Sequence, residues 1–189
     1  MEEKQIENTE ESLAIIHSMI RQAKGNVAES RFYIIFWGWL IMLLSLSHFI
    51  LDVFTNFEYP FAVWSVTIIG LIVSFVYGSR RSREKEVKTF ADKIYNQIWF
   101  SFLATYLVLV FFIGEYNYNI SPIILLFAGM ATYLSGVTLK FTPYRWGGVW
   151  IFLMAIVAFL LPIAWQPLAS AVAVLFGYLV PGYMIKKDA

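Results

Sequence analysis

His48 is the one histidine or charged residue inside a long apolar stretch of the sequence, and Asp52 follows it four positions later. On a helix, residues four positions apart lie on the same face, so these two side chains can meet. Ionisable groups inside a membrane commonly move protons or contact ligands, which makes His48 and Asp52 candidate functional residues. The structural alternative, which we favour, is an interfacial histidine that is hydrogen-bonded to a carboxylate.

Other patterns that could support chemistry are weaker. Asp52, Glu58 and Glu115 supply oxygen atoms that suit a hard cation, but their spacing matches no metal-binding loop. The sequence contains no glycine-rich phosphate loop, no HExxH zinc motif and no nucleophile elbow. It also contains no cysteine, which excludes thiol chemistry and disulfide bonds. We therefore predict a protein that is not an enzyme, with no catalytic residue, cofactor or metal, and no nucleic-acid partner.

The elements that would position these residues are long apolar helices. The chain has 189 residues, of which 59% are hydrophobic and 14% are charged, whereas soluble domains carry about 25% charged residues. Six stretches reach the length of about 20 apolar residues that a membrane-spanning helix needs. They are residues 32–51, 61–78, 98–114, 121–139, 146–164 and 168–185. The predicted fold is all-α, a six-transmembrane-helix bundle over residues 32–185, with a leader at 1–31 and a tail at 186–189.

Basic residues mark one side of these helices. All 14 Lys and Arg residues lie in the leader, the second and fourth connectors or the tail, and none lies in the other connectors. Because cytoplasmic segments are enriched in Lys and Arg, both termini of this multi-pass protein are predicted to be cytoplasmic. Aromatic residues near the predicted helix ends, Tyr144 and Trp146 among them, are interpreted as anchors at the membrane interface.

The cytoplasmic leader has the pattern of an amphipathic helix. Its apolar residues recur at spacings of three and four, which places them in one stripe on a helix. The stripe consists of Leu13, Ile16, Ile20, Ala23 and Val27. Three interpretations remain open: the stripe lies on the bilayer surface, packs under the bundle, or binds a protein partner or a second copy of the chain.

Small residues predict where the helices approach one another closely. One such stripe is Ala128, Thr132 and Gly136 in the fourth stretch, and the other is Ala169, Ala173 and Gly177 in the sixth. Pro181 lacks an amide donor, so we expect it to kink or end the last helix.

Three short runs carry a resemblance to known proteins. They are WGWL at positions 37–40, GVTLKF at 136–141 and RWGG at 145–148. With the amphipathic leader, they make the chain similar to small uncharacterised bacterial six-helix inner-membrane proteins. This resemblance implies a location in the bacterial inner, or plasma, membrane. It implies no activity, and no functional residue is transferred from it.

Two functions fit these observations. The first is a non-enzymatic signalling or assembly component that acts through partners, because a helical leader with an apolar stripe accompanies spans without charged groups. The second is a small permease or channel subunit for an uncharged or lipophilic solute. A polar cavity at the level of the mid-membrane would favour the permease.

Overall fold

The computed structural model describes residues 31–55, 57–84 and 90–185, and every regular element in them is helical. Six helical segments are long and apolar enough to cross a bilayer, which confirms the predicted all-α class and the number of apolar helices. They are Arg31–Phe54, Pro60–Arg80, Phe90–Phe111, Ser121–Thr138, Thr142–Leu160 and Ile163–Met184. The leader stripe (Leu13, Ile16, Ile20, Ala23 and Val27) and the tail at 186–189 lie outside the described residues.

The first five segments each contain one α-helix, and the sixth is divided. In chain order they are α1 (Arg31–Phe54), α2 (Val66–Glu84, after a 3₁₀ turn at Pro60–Ser65), α3 (Phe90–Phe111), α4 (Ser121–Thr138) and α5 (Thr142–Leu160). The sixth segment consists of α6 (Gln166–Val174), a π-helical turn (Leu175–Leu179) and α7 (Val180–Met184).

The largest difference from the predicted boundaries is at α3. This helix begins at Phe90, eight residues before the predicted start, and it ends at Phe111. Its first two turns are polar, so a criterion based on apolar residues alone leaves them out. Asp92 lies in the first turn, where a carboxylate interacts favourably with the helix dipole. The sixth segment also begins earlier than predicted, at Ile163, so that Pro167 is buried inside α6.

The centre of the bundle is formed by α4, α5 and the sixth segment, whose backbones approach closely at glycines. A methyl group added at Gly147 would lie 2.4 Å from the carbonyl oxygen of Gly177. One added at Gly148 would lie 2.5 Å from the backbone nitrogen of Tyr133. No side chain fits in these places, so glycine is required for the observed separation of the helices.

Both predicted stripes of small residues lie in these contacts, which confirms their role in packing. In α4, Thr132 is fully buried and Ala128 nearly so. A methyl group at Gly136 would lie 2.6 Å from the backbone nitrogen of Arg145 in α5. In the sixth segment Ala169 and Ala173 are buried. These stripes hold the three central helices together.

The first helix packs against the last segment of the chain. Gly38 faces Leu179, and Gly182 faces Ile34, so α1 and the sixth segment run antiparallel. Near the other end of α1, the rings of Phe49 and Trp165 are 5.2 Å apart. These contacts join residues that are 116 to 148 positions apart in the sequence.

The outer helices α2 and α3 are much less enclosed. The indole nitrogen of Trp37 in α1 donates a hydrogen bond of 2.9 Å to the Ser74 hydroxyl of α2, and Gly70 of α2 lies against the side chains of Leu40 and Trp37. In α2 and α3 only 6% of the most apolar window is buried, compared with 56% in the sixth segment. Both outer helices therefore present wide apolar faces to their surroundings.

The last helix continues past Pro181, but it is irregular just before this residue. The π-helical turn Leu175–Leu179 precedes the proline, and the amide of Val180 bonds to the carbonyl of Leu175, five residues earlier. Because Pro181 has no amide, the carbonyl of Gly177 loses its α-helical donor, and a widened turn accommodates that loss. The helix then continues through α7 to Met184.

The two ends of the bundle differ in charge. The end formed by the connectors 55–59, 112–120 and 161–165, here called the acidic end, carries Glu58 and Glu115, and Asp52 lies in the last turn of α1 beside it. No Lys or Arg occurs in these connectors. The opposite, basic end includes Arg31, Lys93, Lys140 and Arg145.

Candidate functional site

His48, the first candidate from the sequence, lies near the acidic end of α1 and is bonded to the 3₁₀ turn before α2. The indole nitrogen of Trp64 donates a hydrogen bond of 3.0 Å to His48 Nδ1, and the two rings meet edge to face at 6.3 Å. Because an indole can only donate, Nδ1 must hold a lone pair, and the neutral ring carries its proton on Nε2. Trp64, rather than Asp52, is therefore the partner of Nδ1.

Asp52 is exposed one turn beyond His48, and its carboxylate is close enough to act electrostatically on the imidazole. The arrangement connects α1 to the turn that leads into α2. Among the described residues, no group of three His, Asp or Glu side chains is placed to hold a metal ion. The carboxylates of Asp52, Glu58 and Glu115 therefore do not form a shared site.

Removing the indole donor is expected to weaken this connection modestly. Trp64→Phe keeps an aromatic ring but leaves His48 Nδ1 without its hydrogen bond. We expect the free energy of unfolding in detergent to fall by about 1 kcal/mol. In a His48→Ala background the same substitution should cost less. Equal costs in the two backgrounds would show that the hydrogen bond contributes nothing.

A second group of polar side chains lies in the core toward the basic end, centred on Thr132. The Thr132 hydroxyl donates to the carbonyl of Ala128 at 2.6 Å. Since a hydroxyl has one proton, the Tyr178 hydroxyl, 3.3 Å away, must donate to the Thr132 oxygen. The side chain of Tyr144 in α5 is buried beside this pair. The threonine oxygen therefore accepts a hydrogen bond from a tyrosine of the sixth segment.

This buried polar cluster, defined as Trp99, Thr132, Ser135, Tyr144 and Tyr178, joins four helical segments. The rings of Tyr144 and Tyr178 are 6.2 Å apart, and those of Trp99 and Tyr178 are 6.3 Å apart. Within the part of the chain that the structure describes, Trp99 Nε1 and Ser135 Oγ are buried without a hydrogen-bond partner. The cluster offers neutral hydroxyls and an indole N–H, which suit hydrogen bonds to uncharged groups rather than proton abstraction.

For one residue of this cluster, the environment predicted from the sequence is wrong. Tyr144 was expected to be an interfacial anchor, but it is only 1% exposed, so that interpretation is wrong. Its neighbour Trp146 is 68% exposed, as an anchor requires. The two residues are on different faces of α5, and only the packing against α4 distinguishes them. The sequence feature that could have indicated this buried cluster is the pair of polar residues Thr132 and Ser135 within an otherwise apolar, closely packed helix.

Thr132→Val tests whether the threonine oxygen supports the cluster. Valine has nearly the same shape but accepts no hydrogen bond, so the Tyr178 hydroxyl loses its acceptor. We expect the free energy of unfolding to fall by about 1–3 kcal/mol for leaving buried polar groups unsatisfied. Thr138→Val is the matched control, because the Thr138 hydroxyl bonds only to Leu134 within α4. Similar losses for both variants would contradict a role for the cluster.

Comparisons with protein-family models, curated proteins and solved structures give no match to this chain.

Proposed function

We propose that the chain is a multi-pass protein of the bacterial plasma membrane, a non-enzymatic signalling or assembly component that acts through partners. Both termini are cytoplasmic in this proposal. The main support for this function is the position of α2. Within the described part of the chain, α2 contacts mainly α1. Ile68, Ile69 and Phe75 on its remaining surface are 59%, 60% and 77% exposed. Such a helix leaves most of its circumference available to the spans of another protein.

The closed centre of the bundle supports the same function. Ala155, Ala158 and Ala173 have no exposed surface, and Ile151 is 1% exposed. Together with the contact between Gly147 and Gly177, these residues fill the middle of the bundle with backbone and small side chains. A rigid body of this kind suits a scaffold that presents its outer helices and leader to partners.

The leader provides the experiment. Ile16→Asp combined with Ile20→Asp places two charges on the apolar stripe, and we expect it to abolish association with the partner while the bundle stays folded. The measurement is crosslinking in membranes followed by purification of the full-length chain and identification of the proteins attached to it.

Ser18→Asp with Gln22→Asp is the matched control, because it adds the same charges at the same spacing and falls opposite the apolar stripe if the leader is helical as the sequence predicts. The control should retain every partner. If both double variants lose their partners, the added charge alone explains the loss and the apolar stripe has no specific role. If both keep their partners, the proposal is refuted.

A small permease or channel subunit for an uncharged or lipophilic solute is the second candidate. A line of polar side chains along the sixth segment favours it. Gln166 and Ser170 are buried near the acidic end, and Tyr178 follows toward the basic end. Within the described residues, Gln166 Oε1 and Ser45 Oγ have no hydrogen-bond partner. Rapid flux of a small uncharged solute into reconstituted vesicles, lost on Gln166→Leu, would favour this candidate over the first.

A further inference from the structure

A groove between α3 and α4 opens on the surface of the bundle near its acidic end. It is shallow and open, with a volume of 470 Å³. Helix α3 lines it with Ala104, Thr105, Val108 and Leu109, of which Ala104 is exposed at the rim. Helix α4 contributes Ile123 and Phe127, and the connector between the two helices contributes Tyr116.

The interior of this groove suits a hydrocarbon chain. Leu109 is buried at its floor. Thr105 is the polar side chain in the lining contributed by α3, and its hydroxyl donates to the carbonyl of Ser101 at 3.0 Å. The threonine proton is thus already used within the helix. The surface that remains is mainly apolar, and apolar surface gains free energy when other apolar atoms cover it.

The exposed turn at one edge of the groove carries a negative charge. Tyr116 is exposed there, and Glu115 precedes it in the same exposed turn. No Lys or Arg occurs in residues 52–59, 112–120 or 161–165, which form this end of the bundle. A uniformly acidic end attracts cationic groups and repels anionic ones. The charge of this end therefore favours a cationic polar head on a molecule held in the groove.

We propose that the groove binds one acyl chain of a phospholipid whose headgroup carries an ammonium group, with the ammonium close to Glu115. The apolar lining accounts for the chain, and the acidic turn at its edge accounts for the headgroup. The inference rests on the proposed membrane location but not on the choice between a scaffold and a permease. It assigns the groove a preferred lipid that is retained when the bulk bilayer is removed.

Native mass spectrometry of the full-length protein in detergent tests the inference. The probes are phosphatidylethanolamine and phosphatidylglycerol with identical acyl chains. We expect the protein to retain phosphatidylethanolamine in preference to phosphatidylglycerol. Ala104→Phe, which fills the groove from its exposed rim, should reduce retention about tenfold, equivalent to 1.4 kcal/mol of binding free energy. Glu115→Gln should remove the preference between the headgroups while retention persists.

The control is Ala62→Phe, which adds the same ring at an exposed alanine in the 3₁₀ turn before α2, outside the groove. It should leave lipid retention unchanged. Val108→Phe is a second filling variant if Ala104→Phe does not fold. Unchanged retention in a folded filling variant, or equal retention of the two lipids by the unmodified protein, overturns the inference. A chain that fractionates away from membranes would instead refute the proposed location.

Discussion

Alanine at Gly147 is expected to destabilise the bundle by about 3 kcal/mol or more, the upper range for overpacking a core. The added methyl group would lie 2.4 Å from the carbonyl oxygen of Gly177. Because the obstacle is backbone, no side-chain rotation can relieve it, and α5 must move away from the sixth segment. The helix propensity of alanine favours the variant by only about 1 kcal/mol. Thermal unfolding in detergent measures the outcome.

Gly114→Ala is the control for this prediction. Gly114 lies in the connector after α3, and no atom outside its immediate neighbours lies within 4 Å of the position an added methyl group would take. The same substitution should therefore be neutral, or stabilising by about 0.4–1 kcal/mol through the unfolded chain. Equal stability of the Gly147 variant and the unmodified protein would mean that α5 and the sixth segment are farther apart than described.

Single cysteines are expected to label in an all-or-none pattern at the two ends of the bundle. The natural chain has no cysteine, so each introduced thiol is the only one. Asn117→Cys and Pro162→Cys lie at exposed positions of the acidic end, and Thr142→Cys is exposed at the basic end. If the basic end is cytoplasmic, an impermeant maleimide added outside should react with the first two variants and not with the third.

Two further measurements make the labelling interpretable. In detergent, all three thiols should react, which shows that Thr142→Cys is accessible once the membrane is removed. In inverted vesicles the pattern should be reversed. Labelling of Thr142→Cys from outside intact cells would refute the proposed orientation of the termini.

Hydropathy accounts for what the sequence predicted well, because six apolar stretches of sufficient length correspond to six helices. It cannot locate a helix end that lies in polar sequence, and α3 therefore begins at Phe90 well before its apolar part. The small residues Thr132, Gly136 and Ala173 correctly indicated the packed faces. Their partners could not be predicted, since nothing in the local sequence connects Gly38 with Leu179.

The candidate sites were harder to predict for a similar reason. Asp52 was the obvious partner for His48, because helical spacing connects residues within one helix. The observed donor to Nδ1 is Trp64, which belongs to the next element and is brought close by the connector between α1 and α2. Likewise, Tyr144 has the sequence context of an interfacial anchor, and its burial depends on the nearby backbone of Gly136 in α4.

The packing of α1 against the sixth segment has a consequence for biosynthesis. The ribosome delivers the chain from its N-terminus, so α1 leaves the exit tunnel long before Leu179 and Gly182 exist. During that interval α1, with α2 beside it, has no central helices to dock on. The glycine contacts of α4, α5 and the sixth segment are also encoded in the last third of the chain. The packing of α1 against the sixth segment must therefore wait for the final helix, and until then the apolar faces of the early hairpin have no partner within the chain.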